Sequence, residues 1–162
     1  MSGTGQGMTK TFSGYRRILW PTDFSELAKG ALAHALAVAS DAGAELVILH
    51  VFTPPPPYSM PEIAGDLWAE LQEKQRAAAE EELRRLAEQV KGPKIQTRTV
   101  LAEGVPFDQI LQAAERLQCD LIVIATHGHT GLAHAIIGSV AENVVRRAPC
   151  PVLTVRPPGF HR

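Results

Sequence analysis

The sequence predicts an α/β fold, a five-stranded parallel sheet with helices on both faces, and three observations carry that prediction. The runs Glu45 to Phe52 and Leu121 to Ile124 are almost continuously apolar, as strands covered on both faces are. Segments with helical spacing separate the candidate strands, giving the order β-α-β-α-β-α-β-α-β. Each strand-to-strand connection is long enough to hold a helix, and such crossovers are right-handed and build parallel sheets.

The elements follow in chain order. Arg17 to Thr22 reads as the first strand, although Pro21 lacks the N–H that a central ladder needs. Ser25 is the expected N-cap of a helix with an acid, Glu26, in its first turn. Leu27, Ala31, Leu32, Ala35, Leu36 and Val38 form its apolar face, and Gly43 stands just past its end. The second strand, 45–52, empties into Pro54 to Pro57, a stiff polyproline segment placed to wall one side of a site at the strand end. Ile63 to Val90 is the longest helical pattern, with Leu67, Leu71, Ala79, Leu83, Leu86 and Val90 on one face, and Gly92-Pro93 closes it. Lys94 to Leu101 alternates apolar and polar positions, as a strand with one exposed face does. A helix is expected over Val105 to Leu117, then the strand 121–124, a helix beginning at Gly138-Ser139 and ending with Arg146 and Arg147, and a last strand over Val152 to Arg156.

Composition narrows the function classes. In 162 residues, 16 basic and 17 acidic side chains leave a net charge of -1 with no long block of one sign, which argues against bulk electrostatic binding of nucleic acid or membrane. A single domain over 15–157, between tails at 1–14 and 158–162, is expected from the length. Met1 to Gly14 has no apolar core of a secretion signal and no run is long enough for a membrane span, so the expected location is the cytoplasm. Cys119 and Cys150 are expected as free thiols there.

The chemistry concentrates in 125–145. A buried strand ends at Ala125-Thr126, a glycine-bearing loop follows, and a helix starts at Gly138-Ser139. Such a helix start combines unpaired N–H groups with the positive end of the helix dipole and suits a phosphate. In a doubly wound sheet it shares one crevice with the end of the first strand, Thr22-Asp23, if the two strands are neighbours at the switch point. The P-loop pattern is absent because no lysine follows Gly138, the dinucleotide glycine pattern is absent after the first strand, and no nucleophile elbow is present. His127, His129 and His134 do not have the spacing of a known zinc signature, and no protein-only metal site is expected. No dedicated catalytic apparatus emerges; slow ATP hydrolysis, with a phosphate-bound Mg²⁺ and a base such as His127, stays open beside simple binding.

These residues resemble the universal stress protein family over Tyr15 to Arg156. The resemblance rests on Pro21-Thr22-Asp23-Phe24-Ser25, His50-Val51, Thr126-His127-Gly128, Gly138-Ser139-Val140-Ala141-Glu142-Asn143-Val144 and Ala148-Pro149-Cys150-Pro151-Val152-Leu153-Thr154-Val155-Arg156. ATP-binding members of that family carry a glycine, two residues, a second glycine, nine residues and Gly-Ser or Gly-Thr; here Gly128 and Gly138-Ser139 match and Ala125 replaces the first glycine. The resemblance implies a Rossmann-like, adenine-nucleotide alpha hydrolase-like sheet of order 3-2-1-4-5 and a homodimeric regulatory module for stress response that binds ATP or another adenine nucleotide, with Mg²⁺ as an optional companion. Asp23 would accept hydrogen bonds from the ribose, while Pro21, Thr22 and the backbone of Val51 would line the adenine pocket. Gly128, Gly138, Ser139 and the backbone of Val140 would hold the phosphates beside Ala125 and His127. The dimer would pair Val152, Leu153, Thr154 and Val155 with the same strand of a second copy, closing a hydrophobic edge. Family members that dimerise without nucleotide define a third alternative.

Overall fold

The computed structural model describes residues 13–54, 65–127 and 137–156. Its elements are β1 (Arg17–Thr22), α1 (Glu26–Ala42), β2 (Glu45–Phe52), α2 (Gly65–Val90), β3 (Thr97–Glu103), α3 (Pro106–Arg116), β4 (Leu121–Ala125), α4 (Ser139–Arg147) and β5 (Val152–Val155). The strands form one parallel sheet in the order β3-β2-β1-β4-β5, so the strand order reverses between β1 and β4. One core layer packs Ile18, Trp20, Ile48 and Val123 with α1 and the C-terminal part of α2. The other packs Leu19, Val47, Leu49, Ile122 and Ile124 with α3 and α4.

Pro21 shapes the reversal. The Arg16 carbonyl accepts from the Glu45 N–H on the β2 side, and the Arg17 carbonyl accepts from the Asp120 N–H on the β4 side, each at 2.9 Å. Main-chain groups alternate sides along a strand, so Leu19 and Pro21 face β4 as Arg17 does. Pro21 has no N–H to donate there. Pairing with β4 accordingly covers Ile18↔Leu121 and Leu19↔Ile122 only, whereas pairing with β2 continues to Thr22↔His50. The two central strands share a ladder at their starts and part company at their carboxyl ends.

At the opposite end of the sheet a polar cluster ties the strand starts together. Asp120 accepts from the Arg16 and Arg17 N–H groups at 2.9 and 3.0 Å. The Arg17 side chain bonds Glu45 at 2.5 Å and donates to the Leu117 carbonyl.

α1 begins as the sequence predicts: the Ser25 hydroxyl caps it by accepting from the Ala28 N–H at 3.1 Å, and Gly43, at φ 63°, ends it in the left-handed conformation that favours glycine. Its buried stripe is Ala28, Ala31, Ala35 and Ala39, while Leu27, Leu32, Leu36 and Val38 flank it half-buried. Small side chains let the helix approach β1, where the Trp20 indole donates to the Ala28 carbonyl at 3.1 Å.

The start of β3, the start of α3 and the burial of α2 differ from the sequence reading. β3 starts at Thr97 and reaches Glu103 rather than spanning Lys94 to Leu101, because its register with β2 runs from Leu46↔Thr97 to Phe52↔Glu103 and a Gly92↔Ile95 bridge takes up the residues before it. Val105 caps α3 instead of opening it, and Pro106 takes the first turn, where its missing N–H costs nothing. Leu67 and Leu71 are exposed, and only Ala79, Leu83 and Leu86 of α2 are buried. A helix of 26 residues extends about 39 Å, against about 26 Å for the eight-residue strand β2, so its first half overhangs the sheet. Ile63, Ala64 and the prolines at 55–57 lie outside the described residues.

Both cysteines are free thiols, and Cys119 is buried between α3 and β4. Burial pushes the Cys119 thiol up to about 12 and raises that of Cys150 as well. Little thiolate therefore exists at neutral pH. Titration of the native protein with a disulfide reagent at about pH 8 is expected to leave Cys119 unmodified, with both thiols reacting once denaturant is added.

Candidate functional site

Where β1 and β4 separate, a crevice of about 300 Å³ opens at the carboxyl ends of the strands. Pro21, Thr22 and Asp23 line it from the end of β1, Leu49 and Val51 from β2, and Ala28 from α1. Pro106 and Ile110 of α3 wall it, and Ile124, Ala125, Thr126 and His127 meet Gly138, Ser139, Val140 and Ala141 across its remaining side. Its walls are mostly apolar with a few polar groups, the usual character of a small-molecule site. Among the described lining residues Asp23 carries the one formal charge, and none is Lys or Arg.

The turn after β1 is held by its own side chains. The Phe24 N–H donates to Thr22 Oγ1 and the Ser25 N–H donates to Asp23 Oδ1, each at 3.0 Å. Asp23 therefore braces the residue that caps α1, and it also lines the crevice. A carboxylate accepts several hydrogen bonds, so the brace and a ligand are compatible. Behind the turn, His50 at the end of β2 donates from Nδ1–H to the Thr22 carbonyl at 2.8 Å and stacks on the Phe24 ring with centroids 4.1 Å apart. Burial lowers the His50 pKa below the usual imidazole range, partly offset by the Thr22 carbonyl and the Asp23 carboxylate. With neutral His50 favoured and its carbonyl partner able only to accept, Nδ1 carries the proton.

Across the crevice, Gly138 is the N-cap of α4 and, among the described residues, no side chain caps the helix. The Gly138 N–H donates to the Thr126 carbonyl at 2.6 Å, and the Gly138 carbonyl accepts the first helical bond from Glu142 at 2.9 Å. The N–H groups of Ser139, Val140 and Ala141 fall in the first turn, where no intrahelical acceptor exists. Glycine at 138 serves close approach: a Cβ there would meet the Thr126 carbonyl oxygen at 3.1 Å. Next to it, the Thr126 hydroxyl and His127 Nδ1 are 2.9 Å apart, both residues buried.

The universal stress protein family model matches residues 14–156. The chain belongs to the universal stress protein family. It is 38% identical over 145 residues to universal stress protein MJ0531 of Methanocaldococcus jannaschii, covering 89% of this chain and 84% of that one. The solved structure of MJ0577 from the same organism aligns with a TM-score of 0.79 at 30% identity, over 90% of this chain and 98% of that one. A universal stress protein solved in complex with cAMP aligns with a TM-score of 0.60 at 27% identity, over 88% of this chain and 97% of that one.

Pro21, Thr22, Asp23, Val51, Ala125, His127, Gly138, Ser139 and Val140 come together around this crevice. Gly128, His129 and His134 lie outside the described residues. Ala125 closes β4 in register with Val155, its backbone does not take a positive φ, and its side chain joins the α1 core layer. The strand therefore does not require the glycine that the family motif carries there. Ser139 sits one residue inside α4 rather than capping it. Among the described residues no group of three or more His, Cys, Asp and Glu could hold a metal ion. Sequence reasoning missed Ala28, Leu49, Pro106, Ile110, Ile124, Thr126 and Ala141 as crevice walls. The available signal for Pro106 was its place after β3, since all loops at strand carboxyl ends gather on one side of a parallel sheet.

Gly138→Val is expected to force α4 away from Thr126 and lower stability by about 1–3 kcal/mol, as overpacking of a close contact does. Gly138→Ala is expected to cost less. Chemical denaturation of the two variants beside the wild type checks the order.

Proposed function

We propose that this universal stress protein is a homodimeric regulatory module that binds ATP or another adenine nucleotide in the crevice between β1 and β4. One observation carries the reading: the Asp23 carboxylate and the uncapped start of α4 lie on different sides of one largely apolar cavity. The apolar wall of Pro21, Val51 and Ile110 suits a base. Asp23 is a suitable acceptor for ribose hydroxyls. The first-turn N–H groups of Ser139 and Val140, the Ser139 hydroxyl and the dipole of α4 suit phosphate oxygens, and the family motif adds Gly128 to that set. Because the described lining residues include no Lys or Arg, Mg²⁺ is the natural partner for a triphosphate. The relative solved with cAMP supports an adenine nucleotide as the ligand class.

In this reading the protein works in the cytoplasm, in stress response, and nucleotide occupancy alters what the dimer presents to a protein partner. β5 is an edge strand of the sheet with Leu153 exposed, and antiparallel pairing with β5 of a second copy would cover both. Among the described residues no helix is long and apolar enough to cross a membrane.

The test is the ligand retained after purification, released by denaturation and identified by mass. Adenine nucleotide near one per chain is expected, and Asp23→Ala is expected to weaken binding about tenfold or more, the loss of hydrogen bonds to a charged acceptor. Sustained phosphate release from added ATP would make the module a slow ATPase; an empty wild type that also ignores added ATP with Mg²⁺ would defeat the reading.

The dimer has its own test. Leu153→Asp places a charge on the exposed edge strand and is expected to shift sedimentation at micromolar concentration from dimer to monomer. Wild type sedimenting only as monomer would contradict the pairing.

A further inference from the structure

Phe24 has φ 64°, the left-handed region that a bulky L-residue rarely occupies. Such a conformation persists only where its surroundings over-determine it, and strained residues of this kind cluster at ligand clamps and active sites. Here it falls on the residue immediately after Asp23. Two bonds inside the turn oppose relaxation, Phe24 N–H to Thr22 Oγ1 and Ser25 N–H to Asp23 Oδ1. The third restraint comes from another strand. His50 lies opposite Thr22 in the β1–β2 register, holds the Thr22 carbonyl at 2.8 Å and stacks on the Phe24 ring at 4.1 Å with planes 25° apart. It thus grips the chain on both sides of Asp23 without itself being among the residues that line the crevice.

We infer that His50 is a positioning residue for nucleotide recognition: by clamping Thr22 and Phe24 it keeps the strained turn in place and sets the Asp23 carboxylate where ribose hydroxyls are read. The inference rests on the adenine-nucleotide reading above. It makes discrimination between ribose and 2′-deoxyribose depend on a side chain that does not touch the ligand. Releasing the clamp lets Phe24 leave the left-handed region, and Asp23 then swings with it. Binding energy specific to the sugar is lost, whereas contacts at base and phosphate remain.

The test compares Kd for ATP and 2′-deoxy-ATP, both with Mg²⁺, in wild type, His50→Leu, His50→Asn and the double variant His50→Leu/Phe24→Gly. Wild type is expected to prefer ATP by about tenfold, the scale of a hydrogen bond to a carboxylate. His50→Leu is expected to bring the ratio close to one while ATP binding weakens about tenfold. His50→Asn, which keeps an N–H donor near the Nδ1 position, is expected to lie between. Glycine adopts a positive φ without steric cost, so the double variant is expected to regain most of the preference. General destabilisation would weaken both nucleotides alike and leave the ratio unchanged, and an unchanged ratio in His50→Leu overturns the inference. If His50→Leu does not fold, the same ratio in His50→Asn decides.

A second readout needs no ligand. The Phe24 main-chain NMR couplings of the nucleotide-free protein are expected to report a positive φ in wild type and a negative one in His50→Leu. If wild type binds neither nucleotide, the adenine-nucleotide reading fails, and with it the sugar-discrimination role of His50. Retention of the positive φ in His50→Leu overturns the clamp even where the nucleotide reading stands.

Discussion

A missing hydrogen bond organises this molecule. Parallel sheets bind ligands where their strand order reverses, but a reversal alone leaves the two central strands free to pair along their whole length. Pro21 prevents that on the β4 side only, because its place in the alternation of β1 turns its absent N–H toward β4. β2 still pairs with β1 through Thr22, so the strand stays in the sheet on one side while the sheet opens on the other. The apolar walls of the crevice are core residues at the carboxyl ends of the strands: Ile124 and Ala125 from β4 and Leu49 from β2.

The two polar ends of the crevice are then built by local chemistry. On the β1 side, Thr22 accepts from the Phe24 N–H, Asp23 from the Ser25 N–H and Ser25 from the Ala28 N–H, which starts α1, with His50 behind them. On the β4 side, Gly138 brings α4 against the Thr126 carbonyl, a distance that any side chain at 138 would contest. Its own N–H is spent on that contact, which leaves the donors of the first turn, Ser139 to Ala141, as the ones available for an anion. α4 is short, and its two terminal arginines complement its negative end. Arg147 also lies over the Phe107 ring, 5.4 Å from its centroid, joining α4 to the helix that forms the far wall.

Most of this was legible before the structure, for physical reasons that differ by element. Leu46 to Leu49 of β2 and all of β4 are buried on both faces and had to be apolar, and the caps Ser25 and Gly43 announce α1 because few other residues satisfy or end a helix so well. The β3 start was missed because an exposed edge strand carries a weak alternation that the preceding turn imitates. Leu67 and Leu71 carry helical spacing yet stay exposed, since periodicity reports a helix face and not whether the sheet reaches beneath it. The described motif positions line the same crevice because they flank the switch point, and Gly128 lies outside the described residues. His50, in contrast, reads in sequence as the polar end of an apolar strand; its grip on Thr22 and Phe24 depends on the β1–β2 register and on a backbone angle that no local pattern encodes.

In the proposed function, the first turn of α4 and the turn after β1 receive one ligand between them. A titration of the isotope-labelled protein with ATP and Mg²⁺, followed by amide NMR, tests it most directly. The amides of Asp23, Val51, Ser139, Val140 and Ala141 are expected to shift together along one saturating curve. Shifts confined to other surfaces, or movement at α4 without movement at Asp23 and Val51, would contradict it.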